Sequence, residues 1–181
     1  MKVIGLDVST SCTGVALLEG TSVSYSILKL DHIDFKKCVT FWDKADHVRQ
    51  VFDEWKQLPE FQNIDKVAVE AAMMRFSPGM SSMQAISTLL RFNGLVSYLA
   101  YQAFGIQPIY ISVGHARKLC GLKMQQKAAS GGLTHKQQTA AHMLSHDLVQ
   151  IQWPLKKNGN VKDFVYDIID SYVIARAGLV G

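Results

Sequence analysis

The stretch Val3–Leu18, "VIGLDVSTSCTGVALL", constrains this chain more than any other part of it. Two apolar, β-prone runs, Val3–Leu6 and Val15–Leu18, are separated by small polar residues and a single acid, Asp7. Short runs of this kind, bounded by turn residues, read as neighbouring strands of a buried sheet. Residues 22–30 repeat the pattern, so 1–8, 13–19 and 22–30 predict a three-stranded antiparallel meander. Such a sheet has little room for a lone carboxylate, because a buried charge is costly unless it is paired or bound to a metal. Asp7 is therefore either a turn-capping acid at a strand end or a ligand.

Beyond the meander, helices and strands alternate. Phe41, Trp42, Ala45, Val48, Val51, Phe52 and Trp55 recur at helical spacing over 40–58, and Pro59 stops the run. "IDKVAVE", Ile64–Glu70, is a fourth strand that again finishes on an acid. A Pro/Gly/Ser-containing loop, "AAMMRFSPGMSS", leads into a long helix over 81–104. One apolar stripe runs along it through Ala85, Leu89, Phe92, Val96, Leu99 and Ala103. Gly105 closes this helix and "IQPIYI" makes a fifth strand. Helices over 113–119 and 134–145 follow, the second with Thr134 as its cap, and the basic loop "GLKMQQKAASGG" joins them. "QWPLKKNGNVK" reads as a polar connector to a last helix that begins near Asp163. The order predicts an α/β fold: a five-stranded mixed sheet, three antiparallel strands first, flanked by helices. A single domain spanning 1–181 is long enough to bury a full core.

The acids form a second pattern. Asp7 lies on the first strand and Glu70 ends the fourth, so the two face each other if those strands are neighbours. Asp167 and Asp170 are three apart and share a helix face, within an otherwise apolar run that includes Ile168, Ile169, Val173, Ile174 and Ala177. Like charges placed this way repel, and a divalent cation converts the repulsion into a binding site. Four carboxylates without a histidine favour a hard ion with oxygen ligands, Mg²⁺ or Mn²⁺, over zinc. Two such ions can activate a water and stabilise the leaving oxygen in phosphodiester hydrolysis. On this reading Asp7, Glu70, Asp167 and Asp170 are both catalytic and metal-binding. The Ser/Thr/Gly run after Asp7 would then let a phosphate backbone come close. Asp163 reads as an acid complementing the dipole at a helix start.

Charge points to the same kind of substrate. The net charge is +4, from 19 Lys and Arg against 15 Asp and Glu. Between Glu70 and Asp147 there is no acid, yet that segment holds Arg75, Arg91, Arg117, Lys118, Lys123, Lys127 and Lys136. Such segregation is the footprint of a surface that meets a polyanion, and nucleic acid is the expected partner. The N-terminus carries no signal-peptide pattern, and no stretch approaches the ~20 apolar residues of a membrane span. The three cysteines form no CxxC pair and read as reduced thiols of a cytoplasmic protein without membrane attachment. His142 and His146 have zinc-like spacing but lack a Glu between them and a third ligand, which favours a structural role. Ser9 and Ser11 have no visible His/Asp partner and are not read as nucleophiles.

With these residues in hand, the chain resembles the RuvC-type Holliday junction resolvases of the RNase H-like superfamily, most closely their bacteriophage and poxvirus-like branch. "GLDVSTSCTGVALLE" is similar to the family's opening strand and turn, "VAVEAAMMRF" to the segment bearing its second acid, and "DIIDSYVIARAG" to its closing acidic helix. The resemblance implies an RNase H-like fold, Mg²⁺ as cofactor at two ions per site, and a homodimer that nicks a four-way junction symmetrically. It places the loop from Ala71 to Met80 in the junction centre, with Met73 where members often carry an aromatic, Phe76 three residues on, and Arg75 between them. It also makes Arg117, Lys118 and Lys136 backbone contacts, and the inserted "KMQQKAAS" adds Lys123 and Lys127. The long central helix would form the dimer face through Leu89–Leu99.

Three rival readings remain open at this point. A related nuclease would cut RNA–DNA hybrids or other branched DNA with the same acids. A catalytically silent junction-binding protein would keep the fold alone. "GLDVSTSCTG" also resembles the phosphate turn of sugar kinases and actin-like ATPases, but those need a second domain and a second phosphate turn, so no nucleotide cofactor is expected.

Overall fold

The computed structural model describes residues 1–72 and 82–180. Met73, Arg75 and Phe76, expected at the junction centre, lie outside the described residues.

The meander forms as the alternation dictates: β1 (Lys2–Val8), β2 (Cys12–Gly20) and β3 (Tyr25–Asp34) pair antiparallel in succession. β4 (Lys66–Glu70) lies parallel to β1 on its other side, and the short β5 (Ile109–Ile111) lies parallel to β4. The sheet order is β3-β2-β1-β4-β5, a mixed five-stranded sheet with β1 at its centre. β3 begins and ends later than its hydropathy suggests, because the polar segment 31–34 pairs with Cys12–Val15 along the sheet edge. An edge strand needs only one apolar face, so "DHID" reads as loop and folds as strand.

Helices cover both faces. α1 (Phe41–Trp55) starts on a capping box between Thr40 and Asp43, and α2 (Met83–Phe104) is capped by Ser82 and closed by left-handed Gly105. These two pack on one face, over Ile4, Leu6, Val15, Leu17, Val67 and Val69. α3 (Val113–Leu119), α4 (His135–Ser145) and α5 (Asp163–Gly178) cover the other face, where Val3, Ala16, Leu18 and Ala68 meet the apolar side of α5. Among the described residues no helix is long and apolar enough to cross a membrane.

α5 lies unusually close to the sheet. A Cβ on Gly5 would stand 2.2 Å from the Ser171 carbonyl oxygen, and one on Gly14 would stand 2.0 Å from that of Asp167. The two glycines let helix backbone rest directly on strand backbone. Within the run after Asp7, Gly14 is thus the residue that makes room for α5.

The segment between α4 and α5 is more ordered than a connector. Leu155 bridges Val161 in antiparallel fashion, and the Lys156 amide donates to the Asn160 carbonyl at 2.7 Å. The Gly159 amide donates to the Lys156 carbonyl at 3.0 Å, with Gly159 at φ +82°. The chain therefore makes a closed hairpin, sealed at its base by the Lys162 amide on the Pro154 carbonyl.

Candidate active site

The four acids reach one place from three elements. Leu6 on β1 pairs with Val69 on β4, so the next residues along each strand are Asp7 and Glu70, side by side at the same sheet edge. Asp7 alternates onto the α5 face, where the close seating of the helix presents Asp167 and Asp170 to it. The main chain at Glu70 is fixed from the opposite face: Asn93 on α2 donates its side-chain amide to the Glu70 carbonyl at 3.0 Å. The strand neighbourhood expected from the acid pattern is thus the one observed.

Burial sets the electrostatics. Asp7 is 8% exposed and Asp170 4%. Burial, followed by the Glu70 charge, pushes the Asp7 carboxyl well above its ordinary range. Glu70 is pushed up to about 7, first by burial and then by Asp170. Burial also raises Asp170, although Lys136 and Arg117 pull the other way. The cluster is therefore short of positive charge, and three of its four acids hold protons more tightly than a free carboxylic acid does.

Two basic residues supply part of that deficit. The Lys136 ammonium lies 2.6 Å from Asp167, 3.3 Å from Asp170 and 3.8 Å from Asp7. Burial would lower the Lys136 pKa, but Asp7, Asp170 and Asp167 raise it and hold it above the usual lysine value. Arg117 on α3 donates an Nη2 hydrogen bond to Asp170 Oδ1 at 3.3 Å. Its burial, with 8% exposure, takes it off the surface where it was expected to meet DNA backbone. Its guanidinium is needed inside, against a buried carboxylate. Lys136 is likewise turned inward, though part of its side chain still faces a cleft.

Lys118, Lys123 and Lys127 remain exposed on α3 and the following loop, outside the carboxylate cluster. Sequence reasoning placed Arg117 and Lys136 in a basic run and gave no sign that both turn towards the acids. The i,i+3 acid pair could have hinted at it, since a buried acid pair calls for a cation. The Cys12 thiol beside Asp167 is pushed up to about 12, by burial and then by that carboxylate, and stays a thiol at neutral pH.

The donor set fits a hard divalent cation: carboxylate oxygens only and partly buried, with Asp7, Glu70 and Asp170 raised in pKa chiefly by burial. The carboxylates do not form a ready cage. Among the described residues no three carboxylate, thiolate or imidazole groups are gathered to hold one ion, and the Lys136 ammonium lies among three of the acids.

A cleft of about 540 Å³ opens beside the cluster, lined by Ser9, Ser11, Thr134, Lys136, Lys156 and Asp167 among others.

No protein-family model and no curated protein sequence matches this chain. Among solved structures, Thermus thermophilus RuvC in complex with a Holliday junction substrate is similar over 98% of this chain and 91% of its own, with a TM-score of 0.63 at 12% identity. A second Thermus thermophilus RuvC structure covers 98% of this chain and 92% of its own, at a TM-score of 0.58 and 16% identity. The fowlpox virus resolvase in complex with Holliday junction DNA covers 99% of this chain and 97% of its own, at a TM-score of 0.52 and 13% identity. The likeness at these identities is one of architecture, and the architecture is the RNase H-like fold.

Proposed function

We propose that this chain is a structure-selective endodeoxyribonuclease that resolves four-way junctions and related branched DNA by divalent-metal-dependent phosphodiester hydrolysis. One observation carries the reading: Asp7, Glu70, Asp167 and Asp170 converge from β1, β4 and α5 at one edge of an RNase H-like sheet. A protein that only bound DNA would gain nothing from mutually repelling carboxylates beside a polyanion. The junction as substrate draws support from the solved structures of similar fold, which hold Holliday junction DNA.

The four acids are assigned as ligands for two Mg²⁺ ions, with Mn²⁺ able to take their place. The chemistry such ions supply when bound is activation of the attacking water and stabilisation of the leaving oxygen. The chain's own residues set the geometry around that chemistry. Arg117 orients Asp170 through its Oδ1, and Lys136 holds Asp167 while its stem borders the cleft. Asn93 fixes the strand end that carries Glu70. Lys118, Lys123 and Lys127 are assigned to phosphate contacts, and Met73, Arg75 and Phe76 to the junction centre. Symmetrical nicks require two sites, hence a homodimer. The exposed Leu90, Tyr98 and Tyr101 on α2 offer a face for it.

The test is cleavage of a labelled four-way junction, a matched linear duplex and an RNA–DNA hybrid, with Mg²⁺ or chelator, by wild type and Glu70→Gln. Paired symmetrical nicks in the junction alone, lost with chelator and in Glu70→Gln, are expected. Cutting of the hybrid instead would reassign the substrate, and tight junction binding with no cutting by wild type would overturn the enzymatic reading.

A further inference from the structure

The hairpin at 155–161 forms a second basic element, distinct from the acid-free run before Asp147. From Leu148 to Lys162 the chain holds three lysines, Lys156, Lys157 and Lys162, and no acid. The hairpin is closed by main-chain hydrogen bonds at its tip and base, so these lysines are carried on a defined support and not on a loose linker.

Its position gives it a role. The cleft of about 540 Å³ is lined both by Lys136 and Asp167 of the carboxylate cluster and by Lys156 and Asn160 of the hairpin. Ser9 and Ser11 of the β1–β2 turn, with Thr134 and Gln137, also line it. A smaller hollow of about 290 Å³ continues past Ser11 and Lys156 to Lys162, Lys36 and His32. The wall groups are hydroxyls, amides and ammoniums, the donor types that contact sugar and phosphate without reading bases. Besides Asp167, two acids line these hollows: Asp34, paired with Lys36 at 3.3 Å, and Asp163, paired with Lys156 at 2.6 Å. Both partners of the latter pair are solvent-exposed, and an exposed pair of this kind holds its lysine only loosely.

We propose that this cleft is a strand track: the DNA backbone running off the carboxylate cluster lies between the Ser9–Ser11 turn and the 155–161 hairpin, gripped by Lys156 and, at the hairpin's base, Lys162. Asp163 tempers the grip by competing with phosphate for Lys156. The inference rests on the nuclease reading above and extends it to an element that the basic run at 75–136 does not include.

The test is binding of a fluorescent four-way junction followed by anisotropy in chelator, between roughly 50 and 200 mM salt. Four proteins are compared: wild type, the double variant Lys156→Gln/Lys162→Gln, Asp163→Asn, and Arg49→Gln on α1 at the opposite face of the sheet. Thermal melts establish that each is folded. The double variant is expected to flatten the log–log salt slope by about two, and to weaken binding by about fivefold to tenfold per lysine near 0.1 M salt. Asp163→Asn should tighten binding, and Arg49→Gln should leave it as in wild type. A folded double variant with the wild-type slope would overturn the strand track while leaving the nuclease reading intact. Failure of wild type itself to bind branched DNA would instead sink the nuclease reading, and the strand track with it.

Discussion

The two faces of the sheet are built from the same strands and packed in opposite ways. Against α1 and α2, large aromatics interlock: Phe92 meets Phe35 and Phe41 edge-on at 5.3 and 5.6 Å, and Trp55 stacks on Phe61 at 5.2 Å. Against α5, glycine and alanine bring main chain onto main chain, and the edge of that layer holds buried carboxylates. The first face accumulates stability from buried area, whereas the second gives some up to hold like charges together. The lesson is that a site of repelling acids is tolerated here because the face behind it is conventionally packed.

Substitutions can separate the two roles. The largest effect is expected from Phe92→Ala, which empties a fully buried aromatic position and should cost about 3–5 kcal/mol. In thermal melts that is a large downward shift, yet the surviving folded molecules should keep divalent-dependent cutting. Gly14→Ala should cost somewhat less, about 1–3 kcal/mol as α5 moves away from the strand. Here, however, specific activity per folded molecule should collapse, because the helix that moves carries Asp167 and Asp170. Equal loss of activity per folded molecule in both variants would break the contrast between the faces.

A pH series tests the acidic edge alone. The folded Glu70 carboxyl titrates at about 7, above the ordinary 4.5, so between those values the folded state holds a proton that the unfolded state has released. Its contribution to stability is thus complete below about 4.5 and is lost as pH rises through about 7. Metal-free protein should lose on the order of 2 kcal/mol between mildly acidic and mildly alkaline pH, discounted for partial exposure. Chemical denaturation in chelator at several pH values measures this, and Glu70→Gln should flatten the profile. The smallest expected stability change is that of Asp7→Asn. In chelator at pH 8 its melting temperature should match or slightly exceed that of wild type, since one repelling charge is gone, while cutting is abolished. A marked destabilisation would mean that Asp7 serves the fold chiefly as partner of Lys136.

Much of this arrangement was legible in the sequence. The four acids could be read because their spacing conflicts with the apolar runs around them, and a conflict of that sort is visible without coordinates. The helices could be read from the spacing of their apolar residues, with Pro59 and Gly105 marking two ends and Thr134 one start. Other features depend on contacts far apart in the chain. Arg117 and Asp170 are 53 residues apart, and nothing local to "ARKLC" says that its arginine turns inward. Gly14 follows a turn and looks like a turn residue until α5 is seated on it. The 155–161 hairpin hides because its pairing is a single bridge flanked by lysines and asparagines, a composition that suits an unstructured connector equally well.

The backbone contacts of Gly5 and Gly14 with α5 also bear on how freely this chain can change. A helix held by side chains can roll or slide when those side chains are exchanged, whereas one pressed against bare strand has its rotation and depth set by the peptide units themselves. The azimuth of the two α5 carboxylates is consequently insulated from most substitutions elsewhere. Such an arrangement lets a scaffold turn over nearly all of its letters without misaligning its acids.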